Sequence, residues 1–164
     1  MLAILPIQTG TDNPILRQKT EKIPKVTKEI TKLIKDMEDT LKDENGLGIA
    51  ANQVGQALRM CLAKFNGKTN VLINVEITWR GEETDVVEEG CLSLPDINVK
   101  VERPTEITIT YLNEKGEENE RKLTGMDARI VQHEVDHLDN ILITDYQQHA
   151  SLSTIDNQQS TFDL

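Results

Sequence analysis

Aromatic side chains are scarce in this sequence, 3% of 164 residues, so any hydrophobic core has to be aliphatic. No apolar run approaches the roughly 20 residues that a bilayer-spanning helix needs. The opening Met1-Leu2-Ala3-Ile4-Leu5-Pro6-Ile7 is apolar but short, has no basic flank and contains a proline. It reads as an edge strand over residues 2–7, not as a signal peptide. An Arg/Ser-rich transit segment is also missing, so the expected location is the cytoplasm. The two cysteines, Cys61 and Cys91, are not expected to pair in a reducing compartment. Basic residues fall short of acidic ones, 18 against 28, for a net charge of −10. That balance disfavours nonspecific contact with nucleic-acid phosphates and anionic membranes, and fits a protein kept monodisperse by its charge. Internal repeats and a domain linker are both absent.

What is present reads as one domain of the α+β class. Ile30, Leu33, Ile34, Met37 and Leu41 recur at helical offsets over 27–42, with Thr27 as the N-cap and Asn45 or Gly46 as a left-handed stop. Strands are expected over 57–64 and 70–79 around an Asn66-Gly67 turn, then over 84–93, 97–102, 106–112 and 118–123. A second helix is expected over 125–138. The catalytic domain is expected to span residues 1–146, followed by a polar, frayed tail over 147–164.

The second helix carries Arg129-Ile130-Val131-Gln132-His133-Glu134-Val135-Asp136-His137-Leu138-Asp139-Asn140, with two of the chain's three histidines. Residues four apart share one helical face, so His133 and His137 can both aim a ring nitrogen at one ion. Glu134 sits about 100° round the helix from His133, able to reach a water on a metal without being a ligand. A catalytic divalent metal usually has three protein ligands, so one is missing. His149 sits in the polar tail and is a poor candidate, which leaves carboxylates and the two cysteines. Cys61, in a strand-like apolar run, reads as core. Cys91, in Glu89-Gly90-Cys91-Leu92-Ser93, has an odd setting for a packing cysteine. Asp136 reads as a supporting carboxylate behind the site or a solvated one, and is given no chemistry.

A third unusual segment, Gly46-Leu47-Gly48-Ile49-Ala50-Ala51-Asn52-Gln53, implies a backbone that something approaches closely. It lacks the Gly-Lys-Ser/Thr ending of a P-loop and the third glycine of a dinucleotide fingerprint, and it follows a helix where those motifs follow a strand. Phosphate binding is set aside. Taken in order, the three segments resemble the peptide deformylase signatures G-x-G-x-A-A-x-Q, E-G-C-x-S and Q-H-E-x-D-H. The resemblance runs from about residue 5 to residue 146 and includes Pro14-Ile15-Leu16-Arg17.

That resemblance implies antiparallel sheets packed around a central metal-binding helix. It makes Cys91, His133 and His137 the metal ligands, with ferrous iron as the native metal and zinc, nickel or cobalt able to replace it. The implied reaction removes the formyl group from the N-terminal methionine of new polypeptides and releases formate. Glu134 would serve as base and then acid, with the Leu92 backbone N–H and the Gln53 side-chain amide as oxyanion donors. Leu47, Gly48 and Gly90 would pair with the substrate backbone. Leu47, Val87, Met126, Arg129 through its aliphatic stem, Ile130 and His133 would line the methionine pocket. Glu89 is expected to pair with Arg103 and hold the cysteine loop. Leu47, Met126 and Ile130 also have a plain reading as core, and Glu89 as a solvated charge.

Three features depart from the family pattern. Many members have Leu-x-Gly where this chain has Leu138-Asp139-Asn140; Asn is the next best left-handed cap. An aromatic is replaced by Ile143. Residues 147–164 lack the basic face of a ribosome-contacting helix, so docking on the ribosome has no support from that tail. Formyl-methionyl peptides and nascent chains remain the expected partners, with no sequence-specific nucleic acid and no membrane. Two rival readings stand beside this one. One is an H-E-x-x-H metallopeptidase, which leaves the Cys91 and Gln53 motifs unexplained. The other is a non-catalytic homologue that binds formyl-peptides.

Overall fold

A computed structural model describes residues 3–149 and 162–164 of the chain. The helices are α1 (Pro14–Arg17), α2 (Lys28–Asp43) and α3 (Gly125–Leu138). The strands are β1 (Gly48–Ala50), β2 (Met60–Phe65), β3 (Lys68–Arg80), β4 (Thr84–Cys91), β5 (Leu94–Pro104), β6 (Glu106–Leu112), β7 (Glu118–Thr124) and β8 (Phe162–Asp163). Short 3₁₀ turns cover Ala51–Val54 and Ile143–His149.

Local signals set the helix ends. The Thr27 side chain accepts from the Ile30 N–H at the start of α2. At its other end Asn45 turns left-handed (φ 51°), Asn45 N–H bonds the Lys42 carbonyl, and Gly46 N–H bonds the Leu41 carbonyl. That crossed pair is a Schellman stop. α3 ends the same way: Asn140 has φ 64°, its N–H reaches the His137 carbonyl, and Ile141 N–H reaches the Asp136 carbonyl. Asparagine therefore does at position 140 what glycine does in the family pattern. Asn66 and Gly67, both at positive φ, close the β2–β3 hairpin as their sequence predicts.

The strands form two sheets, one ordered β1-β2-β3-β6-β7 and antiparallel throughout, the other ordered β5-β4-β8. The first is covered on both faces, which explains why Met60 to Ala63 of β2 read as an apolar run. Its Cys61, Ala63 and Phe65 join Ala128, Val131 and Val135 of α3, while Met60 and Leu62 join Ile34, Met37 and Leu41 of α2. Cys61 is core, as expected. The second sheet packs Leu94, Val99 and Val101 against Leu16 of α1 and Leu142 and Ile143 of the 3₁₀ turn. α3 is thus buried on nearly all sides, with Ala128 to Val135, His137 and Leu138 enclosed.

Two expectations are corrected. Residues 3–7 form no strand. Pro6 has no N–H for a ladder, the Leu5 N–H bonds the Thr40 hydroxyl, and farther on the Gln8 N–H bonds the Gln53 carbonyl. The segment is tied to the active-site turn and not to a sheet edge. The second concerns the tail expected to fray. Residues 150–161 lie outside the described residues, but Phe162–Asp163 pairs in parallel with Glu89 and Gly90 of β4, and Leu164 is fully buried.

Candidate metal centre and active site

Each of the three motif segments lands at the same place. α3 brings His133 and His137, one turn apart, to the end of β4, where Cys91 sits at a break in the β4–β5 register. The ligand-capable atoms of Cys91, His133 and His137 all lie within 4.8 Å of one another, and all three residues are buried. The Cys91 Sγ and His137 Nε2 are 3.2 Å apart. Ligands of one tetrahedral ion, at about 2.1 Å for nitrogen and 2.3 Å for sulfur, stand about 3.5 Å from each other, so the three donors are already close to a common centre.

The donor chemistry also fits a cation. His133 presents Nδ1 to the Glu89 carboxylate at 2.9 Å, while its Nε2 is buried and has no hydrogen-bond partner among the described residues. A carboxylate behind a ligating imidazole fixes the ring and raises its basicity. Burial pushes the Cys91 thiol up to about 12, so an isolated Cys91 would keep its proton at neutral pH; a bound cation offsets that cost by favouring the thiolate. Burial and the neighbouring His133 and Arg103 push His137 well below the ordinary imidazole range, leaving the neutral ring that metals bind.

Glu134 points elsewhere than Glu89. Its carboxylate is fully buried, and neither oxygen has a protein partner among the described residues. Burial pushes it well above the usual glutamate range, with Arg103 opposing and Glu89 and Asp136 adding to the shift. It lies against the backbone of Gly48, where an added Cβ would come within 2.6 Å of Oε1. The small residue expected to admit a substrate backbone therefore makes room for Glu134.

Gln53 is held from both ends of its amide. Its Oε1 accepts from the Ala50 N–H at 2.9 Å; its Nε2 donates to the Ser93 hydroxyl at 3.0 Å and faces Cys91 Sγ at 3.8 Å. This fixes the donating nitrogen toward Cys91. Asn52, in the same motif, donates to the His137 carbonyl at 2.6 Å and holds the C-terminal turn of α3.

Beneath the ligands lies a buried ionic cluster. Arg103 makes a two-pronged pair with Glu89 at 2.7 and 2.9 Å, as expected. It also donates to Asp136 at 2.8 Å, and Asp136 accepts from the Tyr146 hydroxyl at 2.6 Å. Burial would raise the Glu89 pKa, but its bonds to Arg103 and His133 overcome that and hold it well below the usual carboxylate range. Arg129 joins the cluster through Glu89 at 2.5 Å, the Val101 carbonyl and the Asp85 carboxylate at 2.6 Å. Its guanidinium is an anchor, a role its sequence position did not suggest. Asp136, read from sequence as a supporting or solvated carboxylate with no chemistry of its own, takes the supporting place by locking Arg103; Ser93 and Tyr146 were missed. Asp136 and Ser93 stand inside the motifs, so a signal existed; Tyr146 had none.

Of the expected pocket residues, Leu47, Met126 and Ile130 share one apolar cluster with Val131 and Leu164. Val87 lies on β4, paired with Val101 and half-buried. Gly90 and Leu92 flank Cys91 on the same edge.

The matching family model is polypeptide deformylase, over residues 4–152. The chain belongs to the polypeptide deformylase family. A peptide deformylase from Pseudothermotoga lettingae is 43% identical over 133 residues, covering 81% of this chain and 77% of the relative. The crystal structure of the Thermotoga maritima peptide deformylase aligns with a TM-score of 0.83 at 39% identity, covering 87% of this chain and 96% of that one. The class I type b peptide deformylase of Acinetobacter baumannii, solved with Met-Ala-Ser bound, aligns with a TM-score of 0.83 at 33% identity over 88% and 99% of the two chains. As a deformylase, this chain is a metal-dependent hydrolase that removes the formyl group of nascent peptides. Among the described residues no helix is long and apolar enough to cross a membrane.

Proposed function

We propose that Cys91, His133 and His137 hold one divalent cation, ferrous iron in the native protein, and that Glu134 moves the proton in formyl hydrolysis. The observation that carries this is the enclosed Cys91/His133/His137 donor set beside a buried carboxylate that no group among the described residues satisfies. One thiolate with two imidazoles suits iron, zinc, cobalt and nickel alike; iron is chosen by the family resemblance. Such a cation supplies Lewis acidity and lowers the pKa of water.

The chain's own residues account for the remaining steps. Glu134, whose pKa burial raises, accepts a proton from the attacking water and returns it to the departing amine. Gln53 Nε2 and the Leu92 N–H donate to the oxyanion that forms on the formyl oxygen. Gln53 needs no reorganisation, because Ala50 and Ser93 already orient its amide. The methionine side chain enters the apolar cluster of Leu47, Met126 and Ile130, bounded by Val87 and the stem of Arg129. Its backbone pairs with Leu47, Gly48 and Gly90, the peptide mode that is independent of sequence. The Met-Ala-Ser bound to the Acinetobacter baumannii relative supports a peptide in this groove. Residues 1–146 form the catalytic domain, and the expected compartment is the cytoplasm.

The test is formate release from a formyl-Met peptide by protein prepared without oxygen, with metal counted per chain. Formate at about one metal per chain is the expected result for a single catalytic site. Fully metallated protein that releases none would overturn the assignment.

A further inference from the structure

We infer that residues 162–164 of this chain are a built-in ligand of its substrate groove, which an incoming peptide has to displace. The inference rests on the proposed reading of that groove. Three features would recognise a formyl-methionyl peptide: a strand edge, a donor beside the metal ligands and an apolar pocket. All three are engaged by these residues. β8 lies on the edge of β4 opposite β5, with Phe162 level with Glu89 and Asp163 level with Gly90. The Leu164 N–H donates to the Gly90 carbonyl at 3.0 Å. The Leu164 carbonyl accepts from the Leu92 N–H, the proposed oxyanion donor, at 3.4 Å. The Leu164 side chain is fully buried in the cluster of Leu47, Met126 and Ile130.

The chemistry of the fit is direct. Leucine and methionine have nearly the same volume and exchange readily in apolar sites. A pocket that takes one side chain accepts the other. β-Strand addition to an open edge asks nothing of the added sequence beyond free N–H and C=O groups. Because the segment belongs to the same chain, it competes as an intramolecular ligand. The occupied groove leaves Cys91, His133, His137 and Glu134 in place, so the competition acts on substrate binding and not on the chemical step.

The experiment compares the full-length metallated chain with Leu164→Asp, whose charge cannot enter the apolar cluster. Met-Ala-Ser is titrated by calorimetry, and formate release is measured over a range of formyl-Met-Ala-Ser. The variant is expected to bind the tripeptide about tenfold more tightly, the scale set by burying one leucine side chain. KM should fall in step and kcat should stay unchanged. Equal affinities and equal KM in the two proteins would overturn the inference. Should the variant fold poorly, amide exchange on the wild type decides. Saturating Met-Ala-Ser should expose the Leu164 N–H to exchange, and continued protection would show that the strand is structural and the inference wrong. Protection that is lost on dilution would also overturn it, since the strand would then come from a second copy. If the wild type binds Met-Ala-Ser with loss of Leu164 protection yet releases no formate, the hydrolase reading fails while the occupancy of the groove stands.

Discussion

A methyl group on Gly48 would lie 2.6 Å from Oε1 of Glu134 and 2.8 Å from its Cδ and Cγ. None of these atoms is the free end of a long surface chain, because Glu134 is fully buried. Gly48→Ala must therefore push the carboxylate out of position. The three atoms nearest such a methyl all belong to Glu134 and none to the proposed ligands, so metal content should hold at the wild-type level. A displacement near 1 Å typically lowers kcat about 10²-fold. Formate release with metal analysis on the same sample checks this; wild-type kcat would mean that Glu134 need not stand where it does. Glu134→Gln keeps the shape and removes the base. It should likewise keep metal and lose about 10²- to 10⁴-fold in turnover, the range for positioned proton transfer. The role proposed for Glu134 comes from its place beside His133. The reason for Gly48 was not legible, because a contact between residues 86 positions apart in the sequence leaves no local trace.

At the scale of elements, the long-range ties hold the site. Glu89 of β4 receives Arg103 from β5, Arg129 from α3 and His133 from α3, so one carboxylate joins the three-stranded sheet to the central helix. Glu89→Gln takes the shared carboxylate from two buried guanidinium groups, leaving Arg103 with Asp136 and Arg129 with Asp85 alone; breaking a buried pair costs up to about 3–5 kcal/mol. It also frees the His133 ring, which typically weakens metal binding about 10- to 100-fold. Thermal melts and metal competition on the variant should show both effects together; a melt unchanged from wild type would mean that the cluster contributes orientation alone. A second tie, Arg17 of α1 to Asp145 of the 3₁₀ turn, is half-exposed and makes two contacts of 2.7 and 3.0 Å. The hydrogen bond from Arg17 lowers the Asp145 pKa. A carboxylate whose folded pKa is depressed adds stability that is full above its unfolded value, about 3.9, and lost as pH falls through the folded value. For a half-exposed pair the gain is at most about 1 kcal/mol. Asp145→Asn should lower Tm slightly at pH 7 and not at pH 2, and an equal deficit at both would assign the effect to packing. The element plan was largely legible: α2, α3 and the β2–β3 and β6–β7 hairpins follow from periodicity and turn residues. Residues 3–7 misled because a short apolar run signals burial, whereas strand pairing also needs a neighbour with free backbone groups, and here the donors go to Thr40 and the carbonyl of Gln53.

For the whole molecule the proposed metal ligands connect separate packing units. Cys91 belongs to the cluster under the three-stranded sheet, while Val131 and Val135, beside the histidines on α3, belong to the core of the five-stranded sheet. An ion held by Cys91, His133 and His137 ties one core to the other, a connection that composition and periodicity do not reveal, since each motif reads as a local feature until the fold brings them together. The same holds for the tail: residues 147–164 look polar and unanchored as a stretch, but Leu164 finds its partners more than 30 residues back, among Met126 and Ile130. The tie has a thermodynamic consequence. A ligand that binds the folded state alone stabilises it by about 4 kcal/mol when present at about 1,000 times its Kd. For a chain of this size each kcal/mol moves Tm by roughly 2–4 °C, so stripping the ion should lower Tm by on the order of 10 °C. Scanning calorimetry of metallated protein with and without a strong chelator measures this. Cys91→Ala, which lacks the sulfur that joins the two units, should melt near the chelated wild type and respond little to chelator. A wild-type Tm indifferent to chelation would mean that the two cores are joined by the Glu89 cluster alone, with the ion serving the reaction and not the fold.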